Sequence, residues 1–222
     1  MITFYSACRF LARSVLSVAS GWDVTGRERV PVSGGLIVAS NHISFFDPPL
    51  VSTACPRELH FLAKEELFKT PVLGPLIAAL RSIPIRRGVA DMSGLSRAIA
   101  VLKSGEGLLL FPEGSRMKDG ELHPARPGVG MMSVHADVPI VPCYISGSNR
   151  AKQWWNRRTR VRITFGEVRD WRMLAGAGSD LTPGRALYQR IGDAVMRDIA
   201  ALRSDQQQAA SRGTAVRRSQ SS

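Results

Sequence analysis

The chain has 222 residues, of which 44% are hydrophobic and 22% charged, a composition that supports one domain with a full core and argues against an intrinsically disordered protein. Thirty Lys and Arg against eighteen Asp and Glu leave a formal charge of +12, which suits phospholipid headgroups, nucleic acid or phosphate-bearing substrates without choosing among them. Cys8, Cys55 and Cys143 are far apart and lack C-x-x-C spacing, so they point to neither a disulfide framework nor a zinc site and fit a reducing cytoplasm.

Residues 1–20 are rich in apolar side chains but interrupted by Arg9 and Arg13, so no run approaches the roughly 18 to 20 residues of a spanning helix. A signal peptide would carry its charges ahead of the apolar run. Ser6, Arg9, Arg13 and Ser17 recur every three or four residues and predict an amphipathic helix, lying in a membrane interface or packed on the domain. Gly35 to Ser40 reads as a short buried strand that ends at Asn41-His42, with a helix following from about Asp47. Met92, Leu95, Ile99 and Leu102 stand at helical spacing, and Leu108 to Phe111 form a second buried strand ending at Pro112-Glu113-Gly114-Ser115-Arg116. Val138 to Ile145 and Arg160 to Phe165 read as further strands, and Pro183 to Leu202 as a closing helix. Strands alternating with helices predict an α/β fold: a single layered domain over 21–203, with a central, mostly parallel or mixed sheet flanked by helices. Residues 204–222, mostly Gln, Ser, Ala and Arg, read as a disordered basic tail.

In open α/β sheets functional groups gather where strands end in loops at the carboxyl edge. The loop Asn41 to Pro49 holds His42 and Asp47 five residues apart. Asp47 precedes two prolines, so as a helix cap it would find few N–H groups to serve, and its carboxylate is left to orient one nitrogen of His42 while the other acts as general base. No G-x-S-x-G elbow follows a strand; Gly94 to Ala98 sits within an expected helix. Cys143 lies in an apolar run and reads as a core thiol. A base without a nucleophile of its own implies that a substrate hydroxyl attacks directly. In the second loop, which also carries the Ser115 hydroxyl, Glu113 is suited to hold a polyol hydroxyl, and Arg116 and nearby backbone N–H groups to bind phosphate. Arg86 and Arg87 follow the short apolar stretch Ser82 to Ile85. Each segment taken singly is equally consistent with a solvated turn.

Together these segments resemble the glycerolipid acyltransferases. The N-H-x4-D motif is matched by Asn41, His42 and Asp47, and the second motif by Ile83 to Arg87 with Arg87 as its terminal arginine. F-P-E-G-[ST]-R is matched by Phe111 to Arg116, and the apolar V-P-[IV]-[VI]-P by Val138 to Pro142. The resemblance spans about residues 22 to 170. It implies His42 as base, Asp47 as its orienter, and Arg87, Glu113, Gly114, Ser115 and Arg116 at the acceptor, supported by Asn41, Arg86 and Pro112. It further implies acyl-CoA or acyl carrier protein as donor, a lyso-lipid acceptor, no cofactor or metal, and a peripheral place on the cytoplasmic face of the cell membrane. Ala125-Arg126 stands where many members carry Phe-Lys, which leaves open 1-acylglycerol-3-phosphate or another acceptor such as a lyso-ornithine lipid.

A different class is also readable. Arg150 to Arg162 holds six basic residues and the pair Trp154-Trp155 with no acid between, as in a non-enzymatic module for single-stranded nucleic acid or for membranes. Nucleic acid binding leaves His42, Asp47 and Glu113 without a role, so no nucleic acid partner is expected.

Overall fold

The computed structural model describes residues 22–86, 91–154 and 160–219, together with Tyr5, Cys8, Arg13 and Ser14. Arg87, Trp155 and most of the expected amphipathic segment 1–20 lie outside the described residues. The strands are β1 (Asp23–Thr25), β2 (Leu36–Ser40), β3 (Leu59–Lys64), β4 (Ser82–Ile85), β5 (Gly107–Leu110), β6 (Ile140–Ser146) and β7 (Arg162–Phe165). The helices are α1 (Asp47–Ala54), α2 (Leu73–Ala79), α3 (Met92–Lys103), α4 (Gly128–Ala136), α5 (Trp171–Ala175) and α6 (Arg185–Ser219).

The strands form one mixed sheet in the order β1-β7-β6-β2-β5-β3-β4. Strands β2 to β6 run parallel, and β7 with β1 beside it runs against them. Every residue of β2 and β5 is buried, which explains their unbroken apolar runs: a central parallel strand is covered on both faces. Side-chain alternation sends Ile37, Ala39, Leu108 and Leu110 into a core shared with α3, α4, α5 and α6. It sends Leu36, Val38 and Leu109 into a second core with Leu50 and Val51 of α1 and Ile77 of α2. Strands β2 and β5 are direct neighbours, with Ala39 opposite Leu110, so the loops that follow them open side by side at the carboxyl edge.

The segment after Ser204 is not the expected disordered tail: α6 continues as helix to Ser219. Its Gln- and Ala-rich composition favours helix, and two side-chain contacts fix its emergence from the core. Arg203 pairs with Glu121 at 2.8 Å, and Gln206 bonds Ser146 Oγ and Thr164 Oγ1. At the other end of the chain, the buried Tyr5 hydroxyl donates to the Leu59 carbonyl at 3.1 Å and accepts the Leu59 N–H at 3.2 Å.

Candidate active site

The turn between β2 and α1 is built around one carboxylate. Asp47 is 0% exposed, and its Oδ2 accepts the Ile43 and Ser44 N–H groups, each at 2.7 Å, while lying 2.9 Å from His42 Nδ1. Asp47 is the first residue of α1 and does not cap it: the Leu50 N–H goes to the Phe46 carbonyl. The carboxylate thus folds back on the preceding turn, serving two backbone N–H groups besides the His42 ring that the sequence predicts as its partner. With Asp47 as acceptor, the proton belongs on Nδ1, and the Nε2 lone pair is left to act as a base.

Three further contacts hold His42. The Phe111 ring stacks on its imidazole, with centroids 4.0 Å apart. Its carbonyl accepts the Met117 N–H at 2.7 Å, and its own N–H donates to Glu113 Oε2 at 2.8 Å. On the opposite side, buried Asn41 bonds both the carbonyl and the N–H of Ile145, at 3.0 and 2.8 Å. Asn41 therefore extends the β2–β6 ladder by a side chain, one residue before the histidine.

Glu113 faces inward. It is 2% exposed, and its second oxygen, Oε1, accepts the His123 N–H at 3.2 Å. Burial raises its pKa, against the lowering effect of the His42 and His123 N–H donors. Gly114 adopts φ 74°, and a Cβ there would lie 2.5 Å from Arg126 Cδ, so the turn needs glycine both for its left-handed backbone and for the arginine packed over it. Pro112 is buried, its carbonyl accepting the Arg126 N–H at 2.8 Å. Ser115 is half-buried and Arg116 exposed. Exposed Arg86 stands 3.8 Å from Glu65, at the end of β4, three strands or roughly 14 Å across the sheet from the end of β2.

An apolar cleft of about 220 Å³ opens beside His42, lined by Leu62, Ile85, Leu95, Phe111 and Met132, with Gly114 and Arg126 at its polar side. Nothing in the motifs pointed to Leu62, Leu95 or Met132; they reach the cleft from β3, α3 and α4. A wider cleft of about 540 Å³ lies at the β4 edge among Glu65, Lys69, Arg86, Asp91 and Arg97. His42 does not line it, so its size does not make it the place of reaction. Asp91 carries a depressed pKa there because its carboxylate accepts the Arg86 and Gly94 N–H groups and the Ser93 hydroxyl. A second His–carboxylate pair, His123 Nε2 to Asp119 Oδ2 at 2.7 Å, is exposed and stands on the loop that follows Arg116.

Cys143 is fully buried, and desolvation holds its thiol far above the usual range, which removes it as a nucleophile. Among the described residues, no group of acidic, histidine and cysteine side chains could hold a metal ion. The geometry offers a group placed to act as a base, a carboxylate that orients it and an apolar cleft beside them.

A family model described as Acyltransferase matches residues 21–146. The chain is 25% identical over 164 residues to a 1-acyl-sn-glycerol-3-phosphate acyltransferase of Bacillus subtilis, covering 73% of this chain and 81% of that one. It is 31% identical over 132 residues to a chloroplastic 1-acyl-sn-glycerol-3-phosphate acyltransferase of Brassica napus, covering 58% of this chain and 38% of the relative. The crystal structure of the 1-acyl-sn-glycerophosphate acyltransferase of Thermotoga maritima superposes with a TM-score of 0.68 at 26% identity, over 90% of this chain and 79% of that one.

Proposed function

The chain belongs to the acyltransferase family, and we propose that it moves a fatty acyl group from a thioester donor, acyl-CoA or acyl carrier protein, to the free hydroxyl of 1-acylglycerol-3-phosphate, giving phosphatidate. The observation that carries this reading is the contact of 2.9 Å between His42 Nδ1 and buried Asp47, beside an apolar cleft. His42 Nε2 removes the proton of the acceptor hydroxyl as its oxygen attacks the thioester carbonyl carbon. The negative charge of Asp47 stabilises the imidazolium that forms. When the tetrahedral intermediate collapses, the C–S bond breaks and the imidazolium returns its proton to the thiolate, leaving an ester, a free thiol and the enzyme unchanged.

The cleft suits the acyl chain of the donor. Arg126 lines its polar side with Gly114, exposed Arg116 follows two residues after Gly114, and these cations suit the acceptor phosphate, as the second-motif arginines Arg86 and Arg87 do by the family resemblance. Such an acceptor resides in a bilayer, and we place the enzyme peripherally on the cytoplasmic face of the cell membrane. Phe45 and Phe46, 54% and 45% exposed in the loop between His42 and Asp47, support that placement. Among the described residues no helix is long and apolar enough to cross a membrane. The test is to incubate purified protein with a panel of lyso-lipids, lysophosphatidate and lyso-ornithine lipid included, against both donor types, and to follow products by mass spectrometry. Phosphatidate as the main product supports the reading; acylation of another lyso-lipid in its place reassigns the acceptor.

A further inference from the structure

We propose that Glu113 is a positioning residue for His42 and does not touch the acceptor. This rests on the acyl-transfer reading for its kinetic consequence and on geometry alone for its structural one. The place of Glu113 in the third motif, two residues before Ser115 and three before Arg116, suggests a ligand for an acceptor hydroxyl. Its carboxylate points the other way, with Oε2 on the His42 N–H at 2.8 Å and Oε1 on the His123 N–H at 3.2 Å, and 2% exposure leaves no open face for a substrate.

Both donors are main-chain groups, so what Glu113 fixes is the path of the backbone. His42 is thereby held at both of its peptide groups by the loop after β5, its N–H by Glu113 and its carbonyl by the Met117 N–H. Asn41 on one side and Asp47 on the other complete the restraint. Only a side chain with two outward acceptors at the reach of glutamate serves two N–H groups from segments this far apart. Glutamine has the same shape, but one of the two positions becomes an amide nitrogen, which sets donor against donor. Aspartate keeps the charge and falls short by a methylene. Charge at this site is also costly, since burial raises the pKa of the group. A carboxylate retained against that cost is explained by the alignment it enforces.

The test compares wild type, Glu113→Gln and Glu113→Asp with a short-chain, water-soluble lysophosphatidate and acyl-CoA. Misplacing a catalytic group by about an ångström costs on the order of a hundredfold. Both variants should therefore lose about ten- to hundredfold in kcat while the acceptor KM stays within about twofold. A rise of about tenfold in acceptor KM with kcat kept overturns the proposal and returns Glu113 to the acceptor site. Thermal unfolding establishes that each variant is folded at the assay temperature, and Glu113→Asp carries the comparison if Glu113→Gln is not. Independently of activity, the backbone amide resonances of His42 and His123 should be among the most shifted in the 1H–15N spectrum of either variant. Unmoved amides overturn the positioning role even if the wild type proves inactive on lysophosphatidate, an outcome that itself sinks only the proposed reaction.

Discussion

Asp47 shows how one oxygen can align a base and shape its loop together. Oδ2 takes the His42 ring and two backbone N–H groups, so replacing it disturbs both functions to different degrees. His42→Ala should cost about 10²- to 10⁴-fold in kcat, the usual contribution of a positioned base, with the circular dichroism spectrum unchanged. Asp47→Asn should be comparably severe, because an amide neither stabilises imidazolium nor reliably selects the Nδ1–H tautomer. Near-normal turnover in His42→Ala would end the mechanism. Glu113 has its own pH signature. Its pKa is raised by burial, so the folded state holds its proton more tightly than the unfolded chain does. The stabilisation this gives is complete below the unfolded value of about 4.3 and is lost as pH rises through the folded one. Glu113→Gln is uncharged throughout, and the difference in Tm between variant and wild type should move in the variant's favour as pH rises from the unfolded value of about 4.3 through the raised folded one. A difference that is flat across that range would mean that the wild-type group titrates as freely folded as unfolded. The two prolines after Asp47 and the N-H-x4-D motif, more than the bare spacing, make the pairing of His42 and Asp47 readable in sequence. The task of Glu113 was not, since its donors lie 71 and 10 residues away and are backbone groups that residue type does not disclose.

Elements were legible in proportion to their burial on both faces. Strands β2, β5 and β6 are unbroken apolar runs and sit at or beside the sheet centre. Strand β3 alternates Leu59, Phe61 and Ala63 with His60 and Lys64, and β4 carries Pro84, a residue tolerated because β4 is an edge strand. Neither announced itself as a strand. Helix α4 opens on Gly128-Val129-Gly130, a poor helical start by propensity; it is set by packing, since a Cβ at Gly130 would fall 2.3 Å from the Tyr188 carbonyl of α6. The far half of α6 escaped for the opposite reason, having helix-forming residues and no apolar periodicity to mark them. Tyr5 offers a test of how residues near the start of the chain bear on the sheet. Tyr5→Phe removes the hydroxyl that serves both polar groups of Leu59. It should cost about 1–3 kcal/mol, read as a fall of several degrees in Tm by calorimetry, with kcat unchanged. An unaltered Tm would mean that the Leu59 peptide finds other partners.

At the scale of the whole molecule, Tyr5 and the candidate site meet opposite ends of the parallel strands. Tyr5 engages the start of β3, whereas His42, Phe111 and Arg86 stand at the carboxyl ends of β2, β5 and β4. The charge of +12 should draw the protein to vesicles containing anionic lipid and not to neutral ones, each basic residue near the surface adding about 1 kcal/mol. Cosedimentation should weaken as salt is raised; binding indifferent to salt and lipid charge would assign the association to apolar contact alone.

The contacts around His42 carry a consequence for how the protein ages on heating. The base and its orienter lie within six successive residues, tied through neighbouring Asn41 to Ile145 of β6 and through His42 to Glu113 and Met117 in the loop after β5. Arg86, Arg116 and Arg126 are exposed and lie outside the helices and strands, where local opening is least costly. Warmth should therefore erode affinity before it erodes chemistry. On a temperature ramp the acceptor KM should climb well below the melting point, while turnover at saturating acceptor holds until the sheet itself comes apart.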